Sequence, residues 1–305
     1  MALPSLILTR TFASNVIQNV TIVGGGLMGS GIAQVAAQAG NTVTLVDIND
    51  AVLQKATKRI ESSIQRVAKK IHKDKPDEGE KFVTGTLSKI SYSTDLPASV
   101  TKADLVVEAI IEKMDLKHKL FSSIDTVAPE HTIFASNTSS LSITEISSVS
   151  NRKDKFGGLH FFNPVPVMKL LEVIKTDATS DDTYNKLISW GKGIGKVTIT
   201  CKDTPGFVVN RLLVPLLCEA MRMLERGDAS ARDIDTAMKL GAGFPMGPLE
   251  LADYVGLDTN KNIIDGWHSK FPENPLFNPI ETLNKLVADG KLGVKSGEGI
   301  YKYEK

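Results

Sequence analysis

Two groups of residues in this sequence could carry chemistry, and the first is a glycine-rich turn. Gly24, Gly26 and Gly29 fit the pattern GxGxxG directly after the β-branched run 20–23, and good helix formers follow at 32–39. In this pattern the first glycine permits a tight turn, the second lets the backbone approach a pyrophosphate, and the third lets the helix pack closely. The order of elements predicts a dinucleotide-binding turn. Its predicted cofactor contacts are Gly24, Gly26, Leu27, Met28 and Gly29.

An acidic residue follows this turn at the distance that a dinucleotide site requires. Asp47 ends the next apolar run, 43–46, and lies 18 residues beyond Gly29. A carboxylate at the end of the second strand is placed to bond the adenine ribose hydroxyls, and it would repel the 2′-phosphate of NADP. The succession of strand, glycine turn, helix, strand and acid is much more specific than the glycine pattern alone. The sequence therefore predicts a site for NAD.

The second group is a histidine and a glutamate in neighbouring strand patterns. His160 precedes the turn Phe161-Phe162-Asn163-Pro164. Glu172 lies twelve residues after His160, in an apolar run. A carboxylate on the adjacent strand can hold one ring nitrogen of a histidine, which leaves the other to act as a general base. An isolated histidine of this kind is more often packed in a core. Because alcohol oxidation by NAD needs a base beside the nicotinamide, the predicted cofactor site favours the catalytic interpretation.

The elements that must position these residues alternate between strands and helices up to about residue 204. Further strand patterns occur at 105–107, 132–135, 156–162, 169–174 and 196–200. The alternation predicts an α/β fold of the Rossmann type, with a doubly wound, mostly parallel sheet. The stretch from about 50 to 90 is too long for a simple crossover and predicts an inserted helical hairpin.

The pattern changes at Thr204-Pro205-Gly206, after which only helical periodicity is evident. We therefore expect an NAD-binding domain over 16–204 and a smaller all-α domain over 205–305. The predicted helices of the second domain are 207–224, 231–240, 248–255, 260–269 and 279–288.

A basic run lies on the first helix of the predicted hairpin. Between Lys55 and Lys75 there are eight lysine or arginine residues and two acids. Such a run is usually a solvated face. It could also bind a polyanionic ligand, with Lys70 and Lys73 at its far end, and the residues alone leave both interpretations open.

The composition limits the classes of function. The 305 residues are 42% hydrophobic and 23% charged, and the net charge of +1 gives no general reason to expect nucleic acid or an anionic membrane as partner. No apolar run is long enough to span a bilayer. The two cysteines, Cys201 and Cys218, lack metal-ligand spacing, so we expect no metal and a reducing compartment.

The first residues have an unusual charge distribution. Residues 1–46 contain one basic residue, Arg10, and no acid. This composition is compatible with a mitochondrial presequence over 1–15 or with a disordered tail.

Several motifs resemble those of the L-3-hydroxyacyl-CoA dehydrogenase family, the mitochondrial matrix enzymes of fatty-acid β-oxidation. They are the glycine motif, Ser-Asn-Thr-Ser-Ser-Leu at 136–141, His-Phe-Phe-Asn-Pro at 160–164, Asp-Thr-Pro-Gly-Phe-Val-Val-Asn-Arg at 203–211 and Lys-Ser-Gly-Glu-Gly at 295–299. The resemblance extends from about residue 16 to residue 303, which is nearly the whole chain.

The resemblance implies oxidation of the C3 hydroxyl of an L-3-hydroxyacyl-CoA by NAD. It assigns catalysis to His160 as general base, Glu172 as its orienting group, Ser139 and Asn210. It assigns further cofactor contacts to Glu112, Lys117, Ser139, Asn163 and Lys295. It assigns acyl-CoA contacts to Ser63, Lys70, Ser139 and Asn210. It also implies a homodimer in the mitochondrial matrix.

Two other functions are compatible with the sequence. One is a related NAD-dependent dehydrogenase that acts on a free hydroxy acid or sugar acid. The other is a non-catalytic NAD-binding relative, since fold alone does not establish activity. The basic helix argues against the first, because a small free acid needs no long basic surface. The intact pair of His160 and Glu172 argues against the second.

Overall fold

The computed structural model describes residues 17–304, which form two compact units. The first unit ends at Thr204 and the second begins at Pro205. Each has its own buried apolar cluster, as expected of a domain. The predicted presequence at 1–15 lies outside the described residues.

Within residues 17–304, the first unit is built on one eight-stranded sheet. Its strands are β1 (Asn19–Val23), β2 (Thr42–Val46), β3 (Ile90–Ser93), β4 (Leu105–Glu108), β5 (Ile133–Ser136), β6 (Phe156–Phe161), β7 (Leu170–Lys175) and β8 (Val197–Lys202). They lie in the order β3-β2-β1-β4-β5-β6-β7-β8, and β6 with β7 is the antiparallel pair. The predicted doubly wound, mostly parallel sheet is confirmed.

Helices cover the sheet. In the first unit they are α1 (Leu27–Gln38), α2 (Asp50–Ile71), α3 (Pro76–Leu87), α4 (Leu96–Val100), α5 (Met114–Asp125), α6 (Ile143–Ser147) and α7 (Asp181–Gly193). The central strands read as continuous apolar runs because both of their faces are buried; Ile22 and Leu45, for example, are fully inaccessible. The register places Val46 and Glu108 on either side of Val23, so the carboxyl ends of three strands meet at one edge.

The segment between β2 and β4 contains a strand that was not predicted. The Asn49 side chain accepts a hydrogen bond from Val52 N–H and caps α2. Helix α3 packs against α2, with Gly79 beside Ala68 and His72. The sequence pattern did not indicate β3, which follows α3 and lies at the edge of the sheet beside β2.

The second unit is helical. Its helices are α8 (Val209–Arg226), α9 (Ala231–Gly241), α10 (Pro248–Val255), α11 (Leu257–Lys270) and α12 (Glu281–Ala288). Their core includes the fully buried side chains of Met221, Leu249 and Leu283. These observations confirm the predicted all-α domain after the sheet. Among residues 17–304, no helix is long and apolar enough to cross a membrane.

Candidate active site

The glycine turn follows β1, at the edge where the parallel strands end. Gly24 has a φ of +114°, and a Cβ there would lie 2.5 Å from the Ala109 carbonyl oxygen. A Cβ on Gly29 would lie 1.8 Å from the Gly24 carbonyl oxygen. A Cβ on Gly26 would meet nothing within 4 Å. The first and third glycines thus allow close backbone contacts inside the fold, and the second leaves open space beside the turn.

The start of α1 offers donors to this open space. Gly26 is the N-cap residue and provides no side-chain cap, so the N–H groups of Leu27 and Met28 lie in a helix terminus that no capping side chain satisfies. A helix N-terminus of this kind favours a phosphate through its N–H groups and its dipole. The turn therefore fits the pyrophosphate of a dinucleotide.

Asp47 lies next to the glycine turn. Its Oδ2 accepts a hydrogen bond from Gly25 N–H at 2.6 Å, and its Oδ1 accepts one from Ile48 N–H at 2.7 Å. The side chain is only partly buried, so the carboxylate can also accept bonds from ribose hydroxyls.

We expect Asp47→Ala to raise the Kd for NADH by roughly 10–100-fold, because charged hydrogen bonds to the ribose are lost. Discrimination against NADPH should weaken in the same variant, since the repulsive carboxylate is gone. Fluorescence titration with both nucleotides measures the change. Asp50→Ala, at an exposed site three residues away, is the control. An Asp47→Ala variant that binds NADH as tightly as the wild type would reject the ribose assignment.

The predicted catalytic pair is built by the antiparallel pairing of β6 and β7. His160 and Glu172 are directly opposite each other in the register. Their side chains meet, with 2.6 Å between His160 Nδ1 and Glu172 Oε2. His160 is 3% exposed and Glu172 is fully buried. A carboxylate in this position favours the proton on Nδ1, which leaves Nε2 as the acceptor.

The second ring nitrogen faces the turn that follows β5. His160 Nε2 lies 3.0 Å from Ser139 Oγ. With the proton on Nδ1, the serine hydroxyl donates to Nε2. The structure thus brings His160, Glu172 and Ser139 into one hydrogen-bonded chain.

A carboxylate holds residues 137–140, the serine turn that follows β5. Glu112 Oε1 accepts hydrogen bonds from Ser139 N–H at 2.9 Å, from Ser140 N–H at 3.3 Å and from the Thr138 hydroxyl. Burial alone would raise the pKa of Glu112, but the Lys117 ammonium and these hydrogen bonds outweigh it and lower the pKa. Glu112 therefore stays ionised at pH values below those at which a glutamate usually titrates. Its carboxylate keeps the turn in place.

Lys117 connects this turn to the end of β4. Its side chain is 1% exposed, and its ammonium lies 2.6 Å from Glu108 Oε1 and 3.1 Å from Glu112 Oε2. The fully buried Glu108 also accepts a hydrogen bond from the Ser136 hydroxyl at 2.6 Å. No sequence pattern indicated a role for Glu108.

Asn137 belongs to the motif at 136–141, but its role was not predicted. Its side-chain oxygen accepts a hydrogen bond from Phe161 N–H at 2.9 Å, which ties the serine turn to the strand that carries His160. Asn163, which was predicted to contact the cofactor, is exposed just after the end of β6.

The remaining predicted contacts lie elsewhere. Ser63 and Lys70 lie seven residues apart on α2 and therefore share one face of that helix. Asn210 is the second residue of α8 in the second unit. Lys295 also belongs to that unit, where its ammonium contacts Asp258.

The two cysteines show no sign of reactivity. Burial, followed by the nearby charges of Glu172 and Asp203, raises the pKa of Cys201 to about 12. Burial likewise raises the pKa of Cys218 to about 11. Both thiols are therefore protonated near neutral pH and poor nucleophiles.

Comparisons with known proteins identify the family of the chain. A family model described as "3-hydroxyacyl-CoA dehydrogenase, NAD binding domain" matches residues 19–204, and the C-terminal domain of the same family matches residues 206–303. The mitochondrial hydroxyacyl-coenzyme A dehydrogenase of Mus musculus is 61% identical over 94% of this chain and 92% of its own length. That of Homo sapiens is 60% identical over 95% of this chain and 92% of its own length.

A solved structure extends the comparison to the fold. The (S)-3-hydroxybutyryl-CoA dehydrogenase PaaH1 of Ralstonia eutropha superposes with a TM-score of 0.89 at 44% identity, and covers 95% of this chain and 100% of the Ralstonia chain. Two family matches that together cover nearly all of the sequence, close relatives and a shared fold lead to one conclusion: the chain belongs to the 3-hydroxyacyl-CoA dehydrogenase family and is an NAD-dependent oxidoreductase.

Proposed function

We propose that this protein oxidises the C3 hydroxyl of an L-3-hydroxyacyl-CoA with His160 as the general base. The observation that carries the proposal is the chain from Glu172 through His160 to Ser139, with distances of 2.6 and 3.0 Å. His160 Nε2 accepts the C3 hydroxyl proton as the C3 hydrogen leaves with its electron pair. NAD, when bound, supplies the hydride acceptor.

Glu172 and Ser139 support the proton transfer in different ways. The Glu172 carboxylate holds Nδ1, keeps Nε2 directed at the substrate and stabilises the imidazolium that forms. The Ser139 hydroxyl donates to Nε2 in this structure. The same hydroxyl can hold the substrate oxygen beside Nε2. The two side chains thus fix the base and the group that it deprotonates.

The cofactor contacts follow from the edge of the sheet. The glycine turn and the start of α1 bind the pyrophosphate, and Asp47 binds the adenine ribose. Glu112 and Lys117 form a charged border of the cofactor site, in which Lys117 holds Glu112 in place. Asn163 stays a predicted contact on the nicotinamide side. Lys295 stays a predicted contact from the second unit.

Recognition of coenzyme A is proposed for α2. Ser63 and Lys70 lie on one face of this helix, and the lysines and arginines around them give it positive charge. A thioester of coenzyme A carries phosphates that such a face attracts. Asn210 stays a predicted contact with the thioester carbonyl.

Location and assembly are proposed from the names of relatives and from exposed apolar side chains. The names of the mouse and human relatives support a mitochondrial location, and we propose the matrix and fatty-acid β-oxidation as the setting. We also propose a homodimer. Exposed apolar side chains of the second unit, such as Leu212 and Leu240, are compatible with it.

The proposed activity is tested by oxidation of NADH with acetoacetyl-CoA, beside free acetoacetate as the control. We expect turnover with the thioester and none with the free acid. Turnover of the free acid alone would instead identify a hydroxy-acid dehydrogenase. Absence of turnover with both substrates, in a protein that still binds NADH, would contradict the proposed activity.

A further inference from the structure

An arginine on α2 reaches the glycine turn from its carbonyl side. Arg59 Nη1 lies 3.2 Å from the Gly25 carbonyl oxygen, 3.3 Å from that of Gly26 and 3.0 Å from Ser30 Oγ. The Ser30 hydroxyl, which is buried, donates in turn to the Gly25 carbonyl oxygen at 3.1 Å. The guanidinium and the hydroxyl together hold two consecutive peptide groups of the turn.

The packing of α2 makes this contact specific. A Cβ on Gly25 would lie 3.1 Å from Val52 Cγ1 and 3.6 Å from Ala56 Cβ, so this face of α2 lies against the turn. Arg59 follows Ala56 by three residues and therefore continues the same face. Ser63, one turn further along, lies on that face as well.

The direction of the peptide groups connects Arg59 to the cofactor. In a trans peptide the C=O and the N–H point in opposite directions. A donor that holds the Gly25 carbonyl therefore orients the Gly26 N–H away from α2, and a donor that holds the Gly26 carbonyl orients the Leu27 N–H in the same sense. Leu27 is the first residue of α1, where its N–H belongs to the anion-binding end of the helix.

The positive charge of Arg59 also favours binding of the pyrophosphate. Asp47 accepts from Gly25 N–H and places a carboxylate beside the turn, which disfavours a second anion there. The positive charge of Arg59 on the carbonyl side of Gly25 offsets that effect and polarises the two peptide groups, which strengthens their N–H groups as donors.

We propose that Arg59 is a positioning residue for cofactor binding, which fixes two peptide groups of the glycine turn so that their N–H groups bind the pyrophosphate. The inference rests on the proposed role of this turn as the pyrophosphate site. It predicts that Arg59 affects ligands that carry a pyrophosphate and leaves ligands that lack one unaffected.

The test compares ADP and adenosine as competitive inhibitors against NADH in the full-length enzyme. We expect Arg59→Met, which keeps the apolar stem, to raise the inhibition constant of ADP about tenfold, as for the loss of one charged hydrogen bond. The Kd for NADH should rise with it. The inhibition constant of adenosine and the kcat at saturating NADH should not change. Arg59→Lys, which restores the charge without the planar fork, should recover part of the affinity.

Two comparisons isolate the effect. Arg66→Met is the matched control, because Arg66 is exposed on the same helix and its Nε donates to the Ser62 carbonyl of its own helix, at 3.4 Å. This variant should bind ADP as the wild type does. Asp47→Ala should weaken adenosine and ADP together, since both contain the ribose.

The outcomes distinguish the proposed role of Arg59 from the proposed cofactor site. Unchanged ADP binding in Arg59→Met, or an equal loss of ADP and adenosine, would overturn the role of Arg59 and leave the cofactor site standing. The same loss of ADP in Arg66→Met would also overturn it, because the effect would then belong to the general charge of the helix. A wild-type enzyme that binds neither ADP nor NADH would overturn the proposed cofactor site and the inference with it.

Discussion

Replacing His160 by glutamine should lower kcat by roughly 10²–10⁴-fold, which is the usual effect of losing a positioned general base. Glutamine retains hydrogen-bonding groups in the pocket, but its amide cannot accept the substrate proton near neutral pH. The Kd for NADH should stay unchanged, because the glycine turn and Asp47 follow other strands, β1 and β2. Steady-state kinetics with acetoacetyl-CoA and a fluorescence titration with NADH measure the two quantities.

His131→Gln is the control for this variant. His131 is exposed and its Nε2 pairs with Asp104 at 3.0 Å, away from the catalytic pair. Its replacement should leave kcat as it is. If His160→Gln turned over substrate at the wild-type rate, the proposed mechanism would be wrong.

The catalytic pair should also behave as a unit. Glu172 acts through the ring that it orients, so the double variant His160→Gln/Glu172→Gln should lose no more activity than His160→Gln alone. Additional loss in the double variant would show that Glu172 has a separate role in the reaction.

Lys117→Met should lower the free energy of unfolding by about 3–5 kcal/mol, because it leaves a buried carboxylate without its partner. The Glu108 side chain is fully buried and the Lys117 side chain is 1% exposed, so water cannot replace the lost ammonium. Urea unfolding, followed by far-ultraviolet circular dichroism, measures the change. Replacing both members, as in Glu108→Gln/Lys117→Met, should recover much of the stability, since the fully buried carboxylate is then gone and only the partly exposed Glu112 has lost its ammonium partner.

A surface ion pair provides the matched control. The Lys175 ammonium contacts the exposed Asp181, and Lys175→Met should leave the urea midpoint nearly unchanged because exposed pairs contribute little. A wild-type midpoint in Lys117→Met would contradict the structural role assigned to the buried pair.

The same pair shows where sequence reasoning stopped short. Taken alone, Lys117 reads as a surface charge, yet it lies on the buried face of α5 with Leu120, Phe121 and Ile124. The helical spacing of these residues is visible in the sequence and could have indicated a buried lysine. Its partner could not be found in this way, because Glu108 belongs to another element and looks like the polar end of a strand.

The predicted strands were most reliable where most residues of the strand are buried. β1 and β2 agree with the predicted runs because their interior residues are buried on both faces. β3 was missed because only Ile90 of its four residues is buried, which gives no periodic signal. The contacts of Arg59 with the glycine turn join residues about thirty positions apart, as the packing of α2 determines, and no local pattern in the basic run distinguishes Arg59 from its neighbours.

The antiparallel pairing of β6 with β7 has a consequence for the recognition of distant relatives. His160 and Glu172 meet because they occupy facing positions on neighbouring strands, and the buried faces of these strands specify that register. Turn length can therefore change during evolution while the two side chains stay together, as long as the facing positions are kept. A search that fixes the interval of twelve residues would miss such relatives, whereas one that aligns facing strand positions would find them.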